Sequence, residues 1–197
     1  MVINGRTDMA DELRRRLCDG ESVTELPGVR AREERIRDFP VVTVDILDRR
    51  GEEALGKPSG TYITMELPQR LADCLAPAAE TLSELIRRCA GTLPQELFLV
   101  GLGNPDITPD AVGSLAASQL LVTRHLKQQD PASFTSFRST ALCRPGVLGT
   151  TGIESARQIL ALCRELRPEM LLVIDVVVCL FLTCLAPLVM ACLLKIW

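Results

Sequence analysis

The sequence predicts an α/β fold in which a parallel sheet lies between layers of helices, a three-layer sandwich built from crossover units. Two short apolar runs, residues 97–100 and 170–174, are bounded by glycine, proline or charged residues, as buried strands of parallel sheets are. Helical patterns occupy the chain between them. A chain of 197 residues is long enough for one core of this kind, or for one core with an appendage.

The N-terminal half contributes two further strands and one helix to this prediction. Residues 1–40 are polar and charged, with glycine and proline breaks and no predicted strand. Residues 41–47 and 61–67 are rich in β-branched residues and are bounded by turn residues, which predicts two strands. Residues 77–90 place apolar side chains on one face of an amphipathic helix that Gly91 is expected to end.

The segment after the first apolar run predicts one long helix. Thr108 is a suitable N-cap and the proline after it suits the first helical position, so we expect a helix from here to about Gln128. His125 would lie late in this helix, where a partly charged imidazole suits the helix dipole. We therefore assign His125 a structural role.

The remaining elements lead to the second apolar run. A short strand is predicted around residues 139–143, followed by a glycine-rich turn. Thr151 and Glu154 form the capping-box pattern of a helix that runs to Leu166. The apolar strand 170–174 comes next.

Two carboxylates follow the two buried strands, and they carry most of the functional information. Asp110 follows the run 97–100 through a short loop, and Asp175 comes directly after the run 170–174. Ligand and reaction sites of parallel sheets collect beyond the carboxyl ends of the strands, so both carboxylates are expected to face one crevice. One charged and one protonated carboxyl can divide the acid and base work of peptide hydrolysis. The sequence leaves open which of the two carries the proton.

Composition argues against several other classes of protein. A net charge of −3 disfavours direct nucleic-acid binding. The glycine loop 101–104 lacks the third glycine of a dinucleotide-binding motif, because Asp106 stands there. The eight cysteines include no C-x-x-C pair and His125 is the single histidine, so we predict no metal and no cofactor. Isolated thiols in apolar settings favour a cytoplasmic, reducing location.

The chain changes character after Asp175. Residues 176–194 contain no charged residue, and their length approaches that of a helix that spans a bilayer. We therefore treat residues 176–197 as an apolar tail that does not match the α/β pattern before it.

Several motifs in register resemble the germination protease family, the spore endopeptidases that degrade small acid-soluble spore proteins. The similarity runs from residue 6 to residue 175. The motifs are residues 6–10, 56–66, 100–104, 108–111, 121–126, 145–154 and 174–175.

This resemblance implies a hydrolase of the spore core, made as an inactive precursor that trims its own N-terminus. The two catalytic aspartates of the family fall on Asp110 and Asp175. The self-processing motif places the cut between Asp8 and Met9, so residues 1–8 would be a propeptide and residues 9–175 a partial family domain. The resemblance also implies a phosphorylase/hydrolase-like α/β sandwich, incomplete at its C-terminus, and a homotetramer.

The apolar residues 176–197 leave open other functions than that of an active protease. The family continues after the second aspartate with a polar stretch, whereas this chain continues with valines and cysteines, as after a truncation or a frameshift. The chain would then be inactive, or an interaction protein that residues 176–197 anchor to a membrane. A third alternative is a hydrogenase-maturation-type endopeptidase with a nickel site, which a single histidine makes weak.

Overall fold

The computed structural model describes residues 10, 11, 14, 26–67, 70–175, 179–184 and 189–196. The chain divides into two compact units, residues 1–86 with 188–197, and residues 87–187. The division falls inside one long helix. Mixed α/β structure is confirmed, with strands and helices in both units.

The first unit contains a four-stranded sheet. Its elements are β1 (Val29–Ile36), β2 (Phe39–Ile46), α1 (Arg49–Leu55), β3 (Gly60–Leu67), the first part of α2 (Leu71–Ala90) and β8 (Val189–Ile196). The strand order is β1-β2-β3-β8. The first three strands are antiparallel neighbours, and β8 runs parallel to β3.

The predicted strands of this unit are confirmed, and two elements were missed. β2 and β3 begin two residues and one residue before their predicted starts. β1 was missed because it is a charged edge strand in which only Ile36 is buried, so it shows no alternating pattern. α1 was missed although Asp48 caps it, accepting hydrogen bonds from the backbone N–H groups of Arg50 and Gly51 at 2.9 and 3.2 Å.

The second unit has a sheet with a parallel centre. Its elements are β4 (Glu96–Gly101), a 3-10 turn (Thr108–Asp110), α3 (Val112–Ser118), α4 (Arg124–Gln129), β5 (Ser139–Cys143), α5 (Leu148–Thr151), α6 (Ser155–Leu166), β6 (Met170–Ile174) and β7 (Cys179–Cys184). The strand order is β7-β6-β4-β5. β4 pairs in parallel with β5 and β6, as the sequence predicted, and β7 is antiparallel to β6.

The core of this unit forms between β4, β6 and α6. Phe98, Val100, Val173 and Ile159 are its buried members. Leucines of α6 pack against them, because apolar residues of this helix recur at the spacing that places them on one face. The core therefore fixes β4 next to β6 and sets the positions of the loops that follow these strands.

The long helix predicted from Thr108 to about Gln128 is wrong. The chain forms a 3-10 turn and the separate helices α3 and α4 instead. Thr123 explains the break, because its backbone N–H donates to the Thr140 carbonyl at 3.1 Å and its buried hydroxyl binds the Arg138 carbonyl. These contacts with β5 draw residues 119–123 out of helical geometry. His125 is consequently exposed in the first turn of α4, and not late in a helix.

The capping box of Thr151 and Glu154 is also wrong. Gly152, with a φ of 68°, ends α5, and a separate helix α6 starts after Glu154. The Thr151 hydroxyl accepts from the N–H of Ile153 at 3.2 Å, which closes a local turn. Glu154 is itself the N-cap residue and makes no side-chain capping bond.

The described residues of the tail 176–197 are strands. Residues 179–184 form β7 and residues 189–196 form β8. Within the parts of the chain that the structure describes, none of the helices combines the length and apolarity needed to cross a bilayer.

Candidate active site

The loop after β4 places Asp110 at the carboxyl end of that strand. β4 ends at Gly101, the chain turns through residues 102–107, and Asp110 closes the 3-10 turn. The backbone N–H of Asp110 donates to the Ile107 carbonyl at 2.8 Å. The Asp110 side chain is half-buried. Asp110 therefore ends a 3-10 turn, and does not lie in the first turn of a long helix as the sequence predicted.

One backbone donor binds the Asp110 carboxylate. The N–H of Asn104 donates to Oδ2 of Asp110 over 2.7 Å. Asn104 is the residue after Gly103, which has a φ of +96°. In a phosphate-binding loop such backbone N–H groups point at the ligand, whereas here the Asn104 N–H binds a carboxylate of the chain itself. This geometry gives the glycine loop a different role from nucleotide binding.

Asp175 lies at the carboxyl end of the neighbouring strand. β6 ends at Ile174, and Asp175 follows directly with a half-buried side chain. In the parallel pairing of β4 with β6, Gly101 is the register partner of Ile174. The carboxyl ends of the two strands are therefore level. Asp110 and Asp175 lie on loops that leave the same edge of the sheet, as predicted from sequence.

Two glycines bring α3 close to these strand ends. A Cβ atom on Gly113 would lie 2.3 Å from the Ile174 carbonyl oxygen and 2.6 Å from that of Leu102. A Cβ atom on Gly101 would lie 2.4 Å from the Gly113 carbonyl oxygen and 2.4 Å from Cβ of Ala117. Only glycine at both positions permits this approach, so α3 packs directly behind the carbonyl that precedes Asp175.

A third loop leaves the same edge after β5. Residues 144–154 are attached to α6 by Gln158, whose amide Nε2 donates to the carbonyls of Pro145 and Ile153, both at 3.3 Å. The Ser155 hydroxyl donates to the Gly146 carbonyl at 2.8 Å. Because β5 is the parallel neighbour of β4, this loop forms a further wall at the carboxyl edge.

Exposed apolar side chains occur on the elements of this edge. Ile107, Val112, Leu148 and Ile153 are 43–53% exposed. They belong to the loop before Asp110, to α3 and to the loop after β5. Exposed apolar side chains of this kind offer contact area to a binding partner at this edge of the sheet.

Other candidate residues lie elsewhere. His125 follows Arg124, whose guanidinium binds Glu96, the first residue of β4, at 2.7 Å. A six-residue strand is roughly 16 Å long, so His125 is remote from the carboxyl edge. In the described residues no group of three metal-ligating side chains occurs. Asp8 and Met9 lie outside the described residues.

Sequence reasoning missed the residues that support Asp110. Gly103 and Asn104 entered the sequence analysis as part of a glycine loop and of a family motif, with no role in binding Asp110, and Gly113 and Gln158 were not singled out. The sequence does contain one indication of this contact. Gly101 and Gly103 follow a buried strand, and glycines in such a position indicate that another part of the backbone comes close. That signal does not reveal that the approaching group is Asp110.

This edge of the sheet can support acid–base chemistry. One carboxylate can accept a proton from water while a second, protonated carboxyl donates a proton to a carbonyl oxygen. Both groups are half-buried, so water competes less with these proton transfers than at a fully exposed surface.

Comparisons with known proteins agree on one family. The germination protease family profile matches residues 4–183. The germination protease of Caldanaerobacter subterraneus subsp. tengcongensis is 39% identical over 180 residues, which is 89% of this chain and 54% of that protein. That of Clostridium acetobutylicum is 35% identical over 178 residues, 86% of this chain and 54% of that protein. That of Oceanobacillus iheyensis is 32% identical over 182 residues, 86% of this chain and 49% of that protein.

The chain spans about half the length of the curated relatives it matches. The family match includes the loop of Asp110, the end of β6 and most of β7. It includes Asp8 and Met9 as well. This chain belongs to the germination protease family.

Proposed function

We propose that this chain is an endopeptidase that begins the degradation of small acid-soluble spore proteins during germination. One observation carries the proposal. Asp110 and Asp175 follow neighbouring parallel strands whose ends are level, in a chain that belongs to the germination protease family. The two carboxylates act on one water molecule, which makes the mechanism aspartic-type.

The reaction needs two proton transfers before the peptide bond breaks. The charged carboxylate takes a proton from the water, and the oxygen of that water forms a bond to the peptide carbonyl carbon. The protonated carboxyl gives its proton to the carbonyl oxygen, so the tetrahedral intermediate is neutral. The intermediate collapses when the first carboxyl protonates the departing amide nitrogen and the C–N bond breaks. One hydroxyl of the intermediate returns its proton to the second carboxylate as the carboxylic acid product forms, which restores both groups to their starting states.

The same pair of carboxylates trims the chain itself in this proposal. The cut lies between Asp8 and Met9, so residues 1–8 form the propeptide and residues 9–175 the family domain. The parallel strands β5, β4 and β6 with helices α3 and α6 support a phosphorylase/hydrolase-like sandwich. The family resemblance supports a location in the spore core and assembly as a homotetramer.

Three single substitutions test the proposal. Asp110→Asn and Asp175→Asn each remove one acid–base group and keep the shape of the side chain. Asp106→Asn is the matched control, because Asp106 is an exposed acid of the same loop. The measurements are the mass of the N-terminus after storage and the rate of cleavage of a purified small acid-soluble spore protein.

We expect the two site variants to lose about 10²- to 10⁴-fold in both rates, which is the usual contribution of a positioned acid or base. The Asp106→Asn variant should stay within about threefold of the parent chain, since a surface charge outside the reaction changes little. Undiminished trimming in both site variants would refute the two-aspartate assignment. A parent chain that binds the spore protein without cleaving it would refute the enzyme assignment and support the interaction protein.

A further inference from the structure

We infer that Gly103 and Asn104 are positioning residues for Asp110. They fix its Oδ2 atom through one backbone N–H and so direct its Oδ1 atom toward the reacting water. This inference rests on the proposed function, because it assigns Asp110 a reaction to be positioned for.

The loop from Asn104 to Asp110 is closed by backbone hydrogen bonds at each step. The Asn104 carbonyl accepts from the N–H of Ile107 at 3.2 Å, and the Ile107 carbonyl accepts from the N–H of Asp110 at 2.8 Å. The Asn104 side chain accepts from the N–H of Asp106 at 3.0 Å. Hydrogen bonds within the loop therefore hold its shape, and the bond from the Asn104 N–H to Asp110 Oδ2 joins its two ends.

Gly103 makes this closure possible. A Cβ atom there would lie 1.9 Å from the Asp110 carbonyl oxygen and 3.2 Å from its Oδ1 atom. The φ of +96° is in a range that residues with a side chain rarely adopt. The backbone of Gly103 thus passes directly behind Asp110, and its geometry turns the next N–H toward the carboxylate.

The two oxygen atoms of Asp110 are consequently not equivalent. Oδ2 accepts the Asn104 N–H, whereas no donor from the described part of the chain binds Oδ1. An N–H can only donate, so a carboxyl proton would not sit between Asn104 N and Oδ2. Oδ1 is the oxygen left to take a proton from water. The bond to Oδ2 also restricts rotation of the carboxylate, and loss of such alignment is costly in reaction rate.

A matched pair of glycine variants tests the role of Gly103. Gly103→Ala introduces the clash with Asp110. Gly91→Ala is the control, since Gly91 also has a positive φ of +60° but has no atom within 4 Å of the added Cβ. Both variants carry backbone strain, and only the first brings a Cβ atom against Asp110. The parent chain and the variants Asp110→Asn and Gly103→Ala are compared in one assay of spore-protein cleavage.

We expect Gly103→Ala to lower kcat about 10²-fold, the usual effect of a misplaced reacting group, while KM changes less than about threefold. Gly91→Ala should leave both constants within about threefold. A loss confined to KM, or equal losses in the two glycine variants, would overturn the positioning role. If Asp110→Asn is inactive while Gly103→Ala is fully active, only this inference fails. If Asp110→Asn is fully active, the proposed function fails as well.

Backbone amide exchange in the full chain gives a second test that needs neither turnover nor a folded Gly103→Ala variant. We expect the Asn104 N–H to exchange at least about tenfold faster in Asp110→Ala than in the parent chain, because its acceptor is removed. The Asp106 N–H is the internal control, since it binds the Asn104 side chain and should change less than about threefold. An Asn104 N–H whose exchange is the same in both proteins would overturn the inference.

Discussion

The backbone N–H of Leu102 donates to the carbonyl oxygen of Ile174 at a distance of 2.8 Å. This bond extends the parallel pairing of β4 and β6 by one step beyond the last strand residue of β4. It therefore holds the beginning of the Asp110 loop against the residue that precedes Asp175. The positions of Asp110 and Asp175 relative to each other are therefore set by the paired backbone of Leu102 and Ile174.

Replacing Gly113 should disturb this piece of backbone. In Gly113→Ala the new Cβ would meet the carbonyl oxygens of Ile174 and Leu102 at 2.3 and 2.6 Å, and neither oxygen can move without shifting a strand end. Overpacking of this kind costs about 1–3 kcal/mol of unfolding free energy. Urea unfolding of the variant and the parent chain measures it.

Gly149→Ala is the control for that experiment. Gly149 lies in the short helix α5, and an added Cβ has no neighbour within 4 Å. Alanine also favours helical backbone, so we expect this variant to be unchanged or more stable by up to about 1 kcal/mol. A Gly113→Ala chain as stable as the Gly149→Ala chain would contradict the close approach of α3.

Thr123 should matter more for its hydroxyl than for its methyl group. The buried hydroxyl donates to the Arg138 carbonyl and accepts from the N–H of Thr140 at 3.0 Å. Thr123→Val keeps the shape and leaves the buried Thr140 N–H without this acceptor, which costs about 1–3 kcal/mol. Thr123→Ser keeps the hydroxyl and should cost less. Thermal unfolding ranks the two variants, and a serine variant less stable than the valine variant would show that packing dominates.

The same threonine shows why the helices of the second unit could be predicted only in part. Local patterns between Thr108 and Gln128 favour one helix. The residues that break it, Arg138 and Thr140, are far away in sequence, just before and within β5. Strands Ser139–Cys143 and Met170–Ile174 were predicted with correct bounds because a charged residue stands directly before and after each of them. β1 gave no such signal, since a strand exposed on both faces has no apolar periodicity to detect.

The candidate site, too, could be predicted from the sequence only in part. The edge on which Asp110 and Asp175 lie followed from two buried strands and the rule for parallel sheets. The support of Asp110 by the Asn104 N–H did not follow, because it depends on a φ angle at Gly103 and on a contact six residues away. Every residue except proline has a backbone N–H, so the residue type at position 104 does not indicate that its N–H binds a carboxylate.

Stability should depend on pH through Glu52. The Ser59 hydroxyl, and then the Ser59 backbone N–H at 2.7 Å, lower the pKa of Glu52 below its ordinary value of 4.5. The stabilisation is therefore complete above the pKa of the unfolded chain and is lost as the pH falls through the lower pKa of the folded chain. We expect the melting temperature of the parent chain to fall more between pH 6 and pH 3 than that of Ser59→Ala.

Ser118→Ala is the control that separates loss of the hydrogen bond to Glu52 from the loss of any serine hydroxyl. The Ser118 hydroxyl donates to the Leu115 carbonyl at 2.6 Å, which does not titrate in this range. Its removal should change the melting temperature by the same amount at pH 6 and pH 3. If Ser59→Ala and Ser118→Ala show the same dependence on pH, the bond between Ser59 and Glu52 does not contribute to acid sensitivity.

Hydrogen exchange should distinguish a strand from a membrane helix in the tail. The register of β6 and β7 pairs Leu172 with Leu182, and the ladder extends from Met170 opposite Cys184 to Ile174 opposite Leu180. Amides of a sheet exchange only when the ladder opens, so peptides that cover residues 179–184 should exchange far more slowly in buffer than those of the exposed turns at residues 131–137. A bilayer-spanning helix would have no partner for its apolar surface in buffer and would gain protection only when lipid vesicles are added. The pairing with β6 would be contradicted if residues 179–184 exchanged as fast as residues 131–137 in buffer and became slow only with vesicles.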